Sequence, residues 1–194
     1  LGLSRDLCSR AEEKKAQALI SIDTVNQTNT TVRSVESSVT NIIETYFNEE
    51  LKKFGKVFRR STLLSRIDNI NQAILNSRMD VKIQLRIEPT FGALNNFILS
   101  YPVTLAAPNL NTPTITSSRF TYLGQTAVIR NRLGTNILQI QSLAEEVIID
   151  NIGEYTPSTG VVELTAFNPQ AATNDIIKIS AVPANESTIR PLRN

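Results

Sequence analysis

The chain has 194 residues, 41% hydrophobic and 20% charged, with 20 basic against 18 acidic side chains. That composition fits a folded chain of one large domain or two small ones, and a formal net charge of +2 gives no broad electrostatic argument for nucleic acid or an anionic membrane. Histidine is absent and Cys8 is the single cysteine, which removes the commonest general base and metal ligand, any internal disulfide and any thiolate metal cluster.

No apolar run approaches the roughly 18 residues of a membrane helix, and no basic patch precedes an apolar core at the N-terminus as in a signal peptide. The chain therefore reads as intracellular in origin, which includes anything assembled inside a bacterium. It starts at Leu1 and ends at Arg193-Asn194, and is expected to be a fragment of a longer polypeptide.

In chain order, residues 1–17 read as a connector or a short helix, since Arg10-Ala11-Glu12-Glu13-Lys14-Lys15-Ala16 collects helix formers. Ile20, Ile22 and Thr24 share one face at period two and predict a strand. The polar break Asn26 to Thr31 supplies N-cap candidates. Val32, Val35, Val39, Ile42, Ile43 and Tyr46 then recur at three- and four-residue spacing, with Phe47 and Leu51 widening the stripe. That is an amphipathic helix, with Gly55 as its stop. Ser61 stands at an N-cap position before Leu63, Leu64, Ile67 and Ile70, predicting a second, shorter helix. From Asp80 to Glu88 apolar residues alternate strictly with Lys82, Gln84 and Arg86, predicting an antiparallel strand with one covered face that Pro89 ends.

Beyond Pro89 helical periodicity vanishes, and prolines punctuate short β-like runs at 97–99, 119–123, 127–130, 137–141, 147–152, 161–167 and 176–182. Val147 to Leu164 reads as a hairpin with Pro157 and Gly160 as turn residues, and Asn109 to Ser118 reads as a loop. The expected fold is α+β: a small β-α-α-β module over 18–90, then an all-β sandwich-like or barrel-like module over 91–194.

Motifs that carry chemistry are lacking. Glu12-Glu13, Glu49-Glu50 and Glu145-Glu146 are neighbours in sequence and point in different directions, so they form no catalytic pair. The sequence has no G-x-S-x-G elbow, G-x-G-x-x-G or Walker A loop. Asn26, Asn29 and Asn185 begin glycosylation-like triplets that, without a secretory signal, read as chance. Cys8 reads as a small apolar filler. The basic run Lys52, Lys53, Lys56, Arg59 and Arg60, interleaved with Phe54 and Phe58, reads first as a solvated helix end whose cations complement the helix dipole, and second as a patch for nucleic acid or an acidic partner. No catalytic residue, cofactor or metal is expected.

The order of elements from Leu19 to Ile87 carries a resemblance. A strand is followed by a helix ending in Ile43-Glu44-Thr45-Tyr46-Phe47 and by the link Gly55-Lys56-Val57-Phe58. Ser61-Thr62-Leu63-Leu64, a short helix with Ile67-Asp68, Ala73-Ile74-Leu75-Asn76-Ser77 and the strand Val81-Lys82-Ile83-Gln84-Leu85-Arg86 complete it. This order resembles the C-terminal region of the baseplate J-like wedge proteins of contractile-tailed phages, particularly of T-even-type myophages. The Gly153 to Leu164 hairpin is similar to one in the same tail proteins.

The resemblance implies a virion protein of the inner baseplate around the tail tube, assembled in the bacterial host cytoplasm. It implies two copies per wedge that contact each other to close a ring, with other wedge proteins alongside and neither nucleic acid nor membrane as partner. It brings no catalytic residues. A ring protein needs self-complementary surfaces, and Tyr46, Phe47, Lys52, Lys53, Lys56, Arg59 and Arg60 are the partner-contact candidates. A different reading is a receptor- or carbohydrate-binding β-domain of a tail fibre or adhesin, for which Tyr101, Tyr122 and Tyr155 would need to be exposed in a groove. A third, a glycosidase, would need two facing carboxylates from Glu145, Asp150, Glu154 and Glu163.

Overall fold

A computed structural model describes residues 2–7, 14–22, 32–51, 57–70 and 74–189. The chain divides into two compact units: Leu1–Lys82 with Glu186–Asn194, and Ile83–Asn185. The division falls inside a strand, between Lys82 and Ile83, eight residues before the position at which composition changes.

In the first unit, β1 (Gly2–Leu7) pairs antiparallel with β2 (Lys14–Ile22), Gly2 opposite Ser21 and Leu7 opposite Ala16. Strand β1 and the first residues of β2, Lys14 to Gln17, stand where a connector or short helix was expected, while Ile20 and Ile22 lie in a strand as their spacing predicts. Most of the run of helix formers lies outside the described residues; Ala16, at its end, pairs with Leu7 of β1, since a weak intrinsic helix preference yields to tertiary pairing. Helix α1 (Val32–Thr45) buries Val35, Val39, Ile43 and then Tyr46, the stripe its spacing predicts. It continues as a π-helical stretch, Tyr46–Leu51; the proposed stop Gly55 lies outside the described residues.

Strand β3 (Phe58–Arg59) leads into α2 (Arg60–Asp68). The expected cap at Ser61 is not used: the N-cap lies two residues earlier, at extended Arg59, with no side-chain cap bond. Instead the Arg60 N–H donates to the Ser187 carbonyl at 3.0 Å. A returning strand satisfies a donor that a helix start otherwise leaves unpaired. That strand, β14 (Thr188–Ile189), pairs antiparallel with β3, and Ile189 is buried. Strand β4 (Ile74–Ile87) is longer than the alternation from Asp80 shows.

The second unit holds the end of β4 and the strands β5 (Asn95–Ser100), β6 (Ile115–Ser117), β7 (Phe120–Tyr122), β8 (Gln125–Asn131), β9 (Ile137–Ser142), β10 (Val147–Thr156), β11 (Val161–Phe167), β12 (Ala171–Ala172) and β13 (Ile177–Ala181). They form one antiparallel sheet in the order β4-β13-β6-β8-β9-β10-β11-β5, with β7 pairing β8 and β12. Strand β6 lies inside the stretch read as a loop. Three residues are too few to display alternation, yet Ile115 is fully buried, and the sheet joins β13 to β8 through it. Asn131 makes that junction work from within the core: its Oδ1 accepts from the Ile115 N–H at 3.0 Å, and its Nδ2 donates to the Thr135 carbonyl at 3.0 Å.

The sheet curls as a half-barrel. Register shifts interrupt the β9–β10 ladder between Val147 and Gly153, and such bulges bend a strand and increase its twist. Gly153, at φ 138, lets the backbone of β11 approach so closely that a Cβ there would stand 1.9 Å from the Glu163 carbonyl oxygen. The inner face carries Ile129 opposite Ile140 and Val162 between Tyr155 and Leu99, all buried.

After β5 the chain forms a strap. The Leu105 N–H donates to Pro157, Ala106 to Val182, and Thr104 accepts from Ala184, at 2.8, 2.9 and 3.0 Å. The strap thus ties the β10–β11 turn to the end of β13. Tyr101, 2% exposed, donates its hydroxyl across the interior to the Ile179 carbonyl at 2.8 Å.

Burial pushes the Tyr101 phenol far above its ordinary value of 10.0. The neutral form is kept in the folded state, so the resulting stability is complete below pH 10.0 and falls as pH rises above it, where the unfolded chain ionises first. Tyr101→Phe should flatten this alkaline loss in denaturation midpoints measured from neutral pH upward. At neutral pH it should cost about 1–3 kcal/mol, because the Ile179 carbonyl loses its donor. An unchanged alkaline slope would contradict the assignment. Gly153→Ala should cost more than about 2 kcal/mol, since strain at positive φ adds to the clash, and urea unfolding reads this directly.

Candidate interaction surface

The candidates proposed from sequence separate in the structure. Tyr46, Phe47 and Phe58 form an aromatic cluster: Phe47 stacks on Phe58 with centroids 5.9 Å apart, and Tyr46 meets the two edge-on at 6.0 and 6.1 Å. Tyr46 is 3% and Phe58 1% exposed, so the cluster is this unit's own core. Edge-on and offset rings are the arrangements that the ring quadrupole favours. Arg66 lies 5.3 Å from the Tyr46 ring centroid, a cation over an aromatic face, and the Arg59 N–H donates to the Tyr46 hydroxyl at 3.4 Å. Phe47 is half-buried.

Of the basic run, Lys52, Lys53 and Lys56 lie outside the described residues, as do Gly55 and Cys8. Arg59 is exposed. Arg60 is half-buried and pairs with Glu186 at 3.4 Å while donating to the Met79 carbonyl at 3.4 Å. Its charge thus secures the returning C-terminal strand as well as facing water.

The four carboxylates weighed as a glycosidase site fall into two kinds. Glu145 pairs with Arg130 at 2.8 Å and Asp150 with Arg132 at 3.6 Å. Glu154 and Glu163 are direct cross-strand partners on β10 and β11, both exposed, with Glu154 accepting from Asn136 at 3.3 Å. Among the described residues no group of three His, Cys, Asp or Glu is placed to hold a metal. Tyr101, Tyr122 and Tyr155 are all buried, so none offers a face on which a sugar could stack. Burial also raises the Tyr155 phenol.

Large apolar side chains that sequence reasoning missed are exposed at several other places, two of which bear on the surface, while Leu94, Leu123, Leu143 and Val147 stand elsewhere. Leu110 and Leu133 stand at adjoining turns, where the Gly134 N–H donates to Asn109 at 2.7 Å. Ile98, 74% exposed, sits on β5. The signal for the second was present: Phe97-Ile98-Leu99 has no polar residue for the outward side of its alternation.

Residues 20–86 match the family model of baseplate structural protein gp6, C-terminal domain III. The match runs from β2 through α1, β3 and α2 to β4, just over a third of the chain. It supports a structural baseplate role in a phage tail, as a virion component that acts with other baseplate components. No curated protein matches the chain. No helix among the described residues is long and apolar enough to cross a membrane.

Core burial, not the exposed ion pair, should dominate the first unit's stability. Phe58→Ala should cost about 3–5 kcal/mol. Glu186→Gln, removing a partner that is about a third exposed, should cost less than about 1 kcal/mol. Equal losses in thermal melts of the two variants would reverse that ranking.

Proposed function

We propose that the protein builds the inner wedge and ring scaffold of a contractile phage-tail baseplate around the tail tube, as a baseplate J-like wedge protein working through contacts with its own copies and with other wedge proteins. The observation that carries this reading is the match over residues 20–86, which covers the β-α-α-β order that prompted the same expectation from sequence. The chemistry agrees: of the four carboxylates weighed as a catalytic site, Glu145 and Asp150 are ion-paired and Glu154 and Glu163 are cross-strand neighbours, Tyr101, Tyr122 and Tyr155 are buried, and the described surface offers a backbone edge and exposed apolar side chains. Scaffold proteins assemble through such surfaces. The β-rich half, 91–194, is the part of the proposed division that presents the exposed apolar residues. Arg59 and Arg60, with Lys52, Lys53 and Lys56 and the half-buried Phe47, remain candidates for contacts with acidic wedge partners. Assembly would take place in the host cytoplasm.

The test is light scattering of the full-length protein, alone and mixed with each candidate wedge protein. The expected result is a stable complex with at least one wedge partner, and a mass above that of the monomer as concentration rises. A protein that stays monomeric, ignores every tail protein and binds glycans would overturn the reading.

A further inference from the structure

Strand β5 is the terminal strand of its sheet, with β11 as its neighbour among the described residues. An unpaired edge is a template for another strand, and natural edges are blunted with charge, proline or bulges. Strand β5, Asn95-Asn96-Phe97-Ile98-Leu99-Ser100, has no charge and no proline. It pairs with β11 without a register shift from Phe97 to Ser100.

The direction of its free groups follows from the register. The Tyr101 N–H donates to the Gly160 carbonyl at 2.8 Å, and Ser100 stands opposite Val161. Since hydrogen-bonded and non-hydrogen-bonded pairs alternate along an antiparallel ladder, Leu99 and Phe97 bond to β11. The N–H and C=O groups of Asn96, Ile98 and Ser100 therefore point to the open side. Those three side chains are also the exposed ones on the strand. Ile98, 74% exposed, lies midway between Asn96 and Ser100.

We propose that this edge pairs with the same edge of a second copy, antiparallel about a two-fold axis through Ile98. This names a surface for the self-contacts proposed above and rests on that reading. Ile98 then stands opposite its counterpart, Asn96 opposite Ser100 of the second copy, and every outward N–H from Asn96 to Ser100 meets a carbonyl. The row is self-complementary, as a two-fold contact requires, and it lacks the charge that would select a charged partner. The two Ile98 side chains cover each other on the outer face. Glu163, beside Ile98 on β11, would lie about 14 Å from its counterpart, three strand spacings away. That is beyond the roughly 8 Å screening length at physiological salt. Six residues of strand bury less than the roughly 1,000 Å² of a stable free-standing interface, so the contact is weak in dilute solution and is strengthened where a ring holds copies together.

Cysteine cross-linking of the full chain in a Cys8→Ser background tests the register. Under mild oxidation Ile98→Cys should form covalent dimers at least about tenfold faster than Ser100→Cys. The first pair has Cα atoms about 5.5 Å apart, and the second is displaced about 13 Å along the strand. A mixture of Asn96→Cys and Ser100→Cys proteins should cross-link to each other in preference to themselves. Unchanged melting of each variant would show that it folds. Dimers by light scattering that Ile98→Cys fails to lock would overturn the edge while leaving self-association standing. Cross-linking of Ile98→Cys to an added wedge protein in preference to its own copy would give the edge to that partner. Absence of any self-contact, with wedge complexes still forming, would overturn this inference and not the scaffold role.

Discussion

The close approach of β10 and β11 at Gly153 is the constraint on which the β-rich unit depends. A Cβ there would overlap the Glu163 carbonyl, so only glycine lets the two backbones meet where β10 is bulged. The bulge bends the sheet, and a bent sheet has an inside. The inward rows centred on Ile129, Ile140, Tyr155 and Val162 then face a shared interior, where each loses nearly all contact with water. At about 25 cal/mol per Å² of apolar surface removed, this enclosure is the main source of stability. Curling also brings the chain after β5 near the end of β13. The strap and the Tyr101–Ile179 bond are consequences of the curl as much as its fastening.

The first unit is organised on smaller scale by Phe58. Its ring joins Tyr46 and Phe47 into a buried cluster, while its backbone pairs with Ile189. One residue thus links the end of α1, the start of α2 and the returning strand. The Arg60–Glu186 pair sits at the same junction, but its exposure leaves it a minor contributor beside the aromatic burial.

Both units suit a protein whose work is to hold position. Of the carboxylates weighed as a site, Glu145 and Asp150 are ion-paired and Glu154 and Glu163 are cross-strand neighbours, and the β-unit tyrosines are spent on the core. The gp6 domain III match supports a baseplate part, and a baseplate part needs rigid surfaces in register more than it needs a pocket.

Sequence alone determined the elements whose periodicity runs long enough to be read. The stripe Val35, Val39, Ile43 and Tyr46, the strand from Val81 to Ile87, and the Pro157–Gly160 turn between β10 and β11 all depend on near neighbours in the chain, although Gln84, expected on the wet face of that strand, is buried and donates to the Ser180 hydroxyl at 3.0 Å. Tertiary structure alone decided the rest: β6 inside an apparent loop, and α2 starting at Arg60 against a carbonyl from Ser187. It also left Ile98 on an open edge. Each depends on a partner far along the chain, and periodicity records which face a residue prefers without recording what will cover that face.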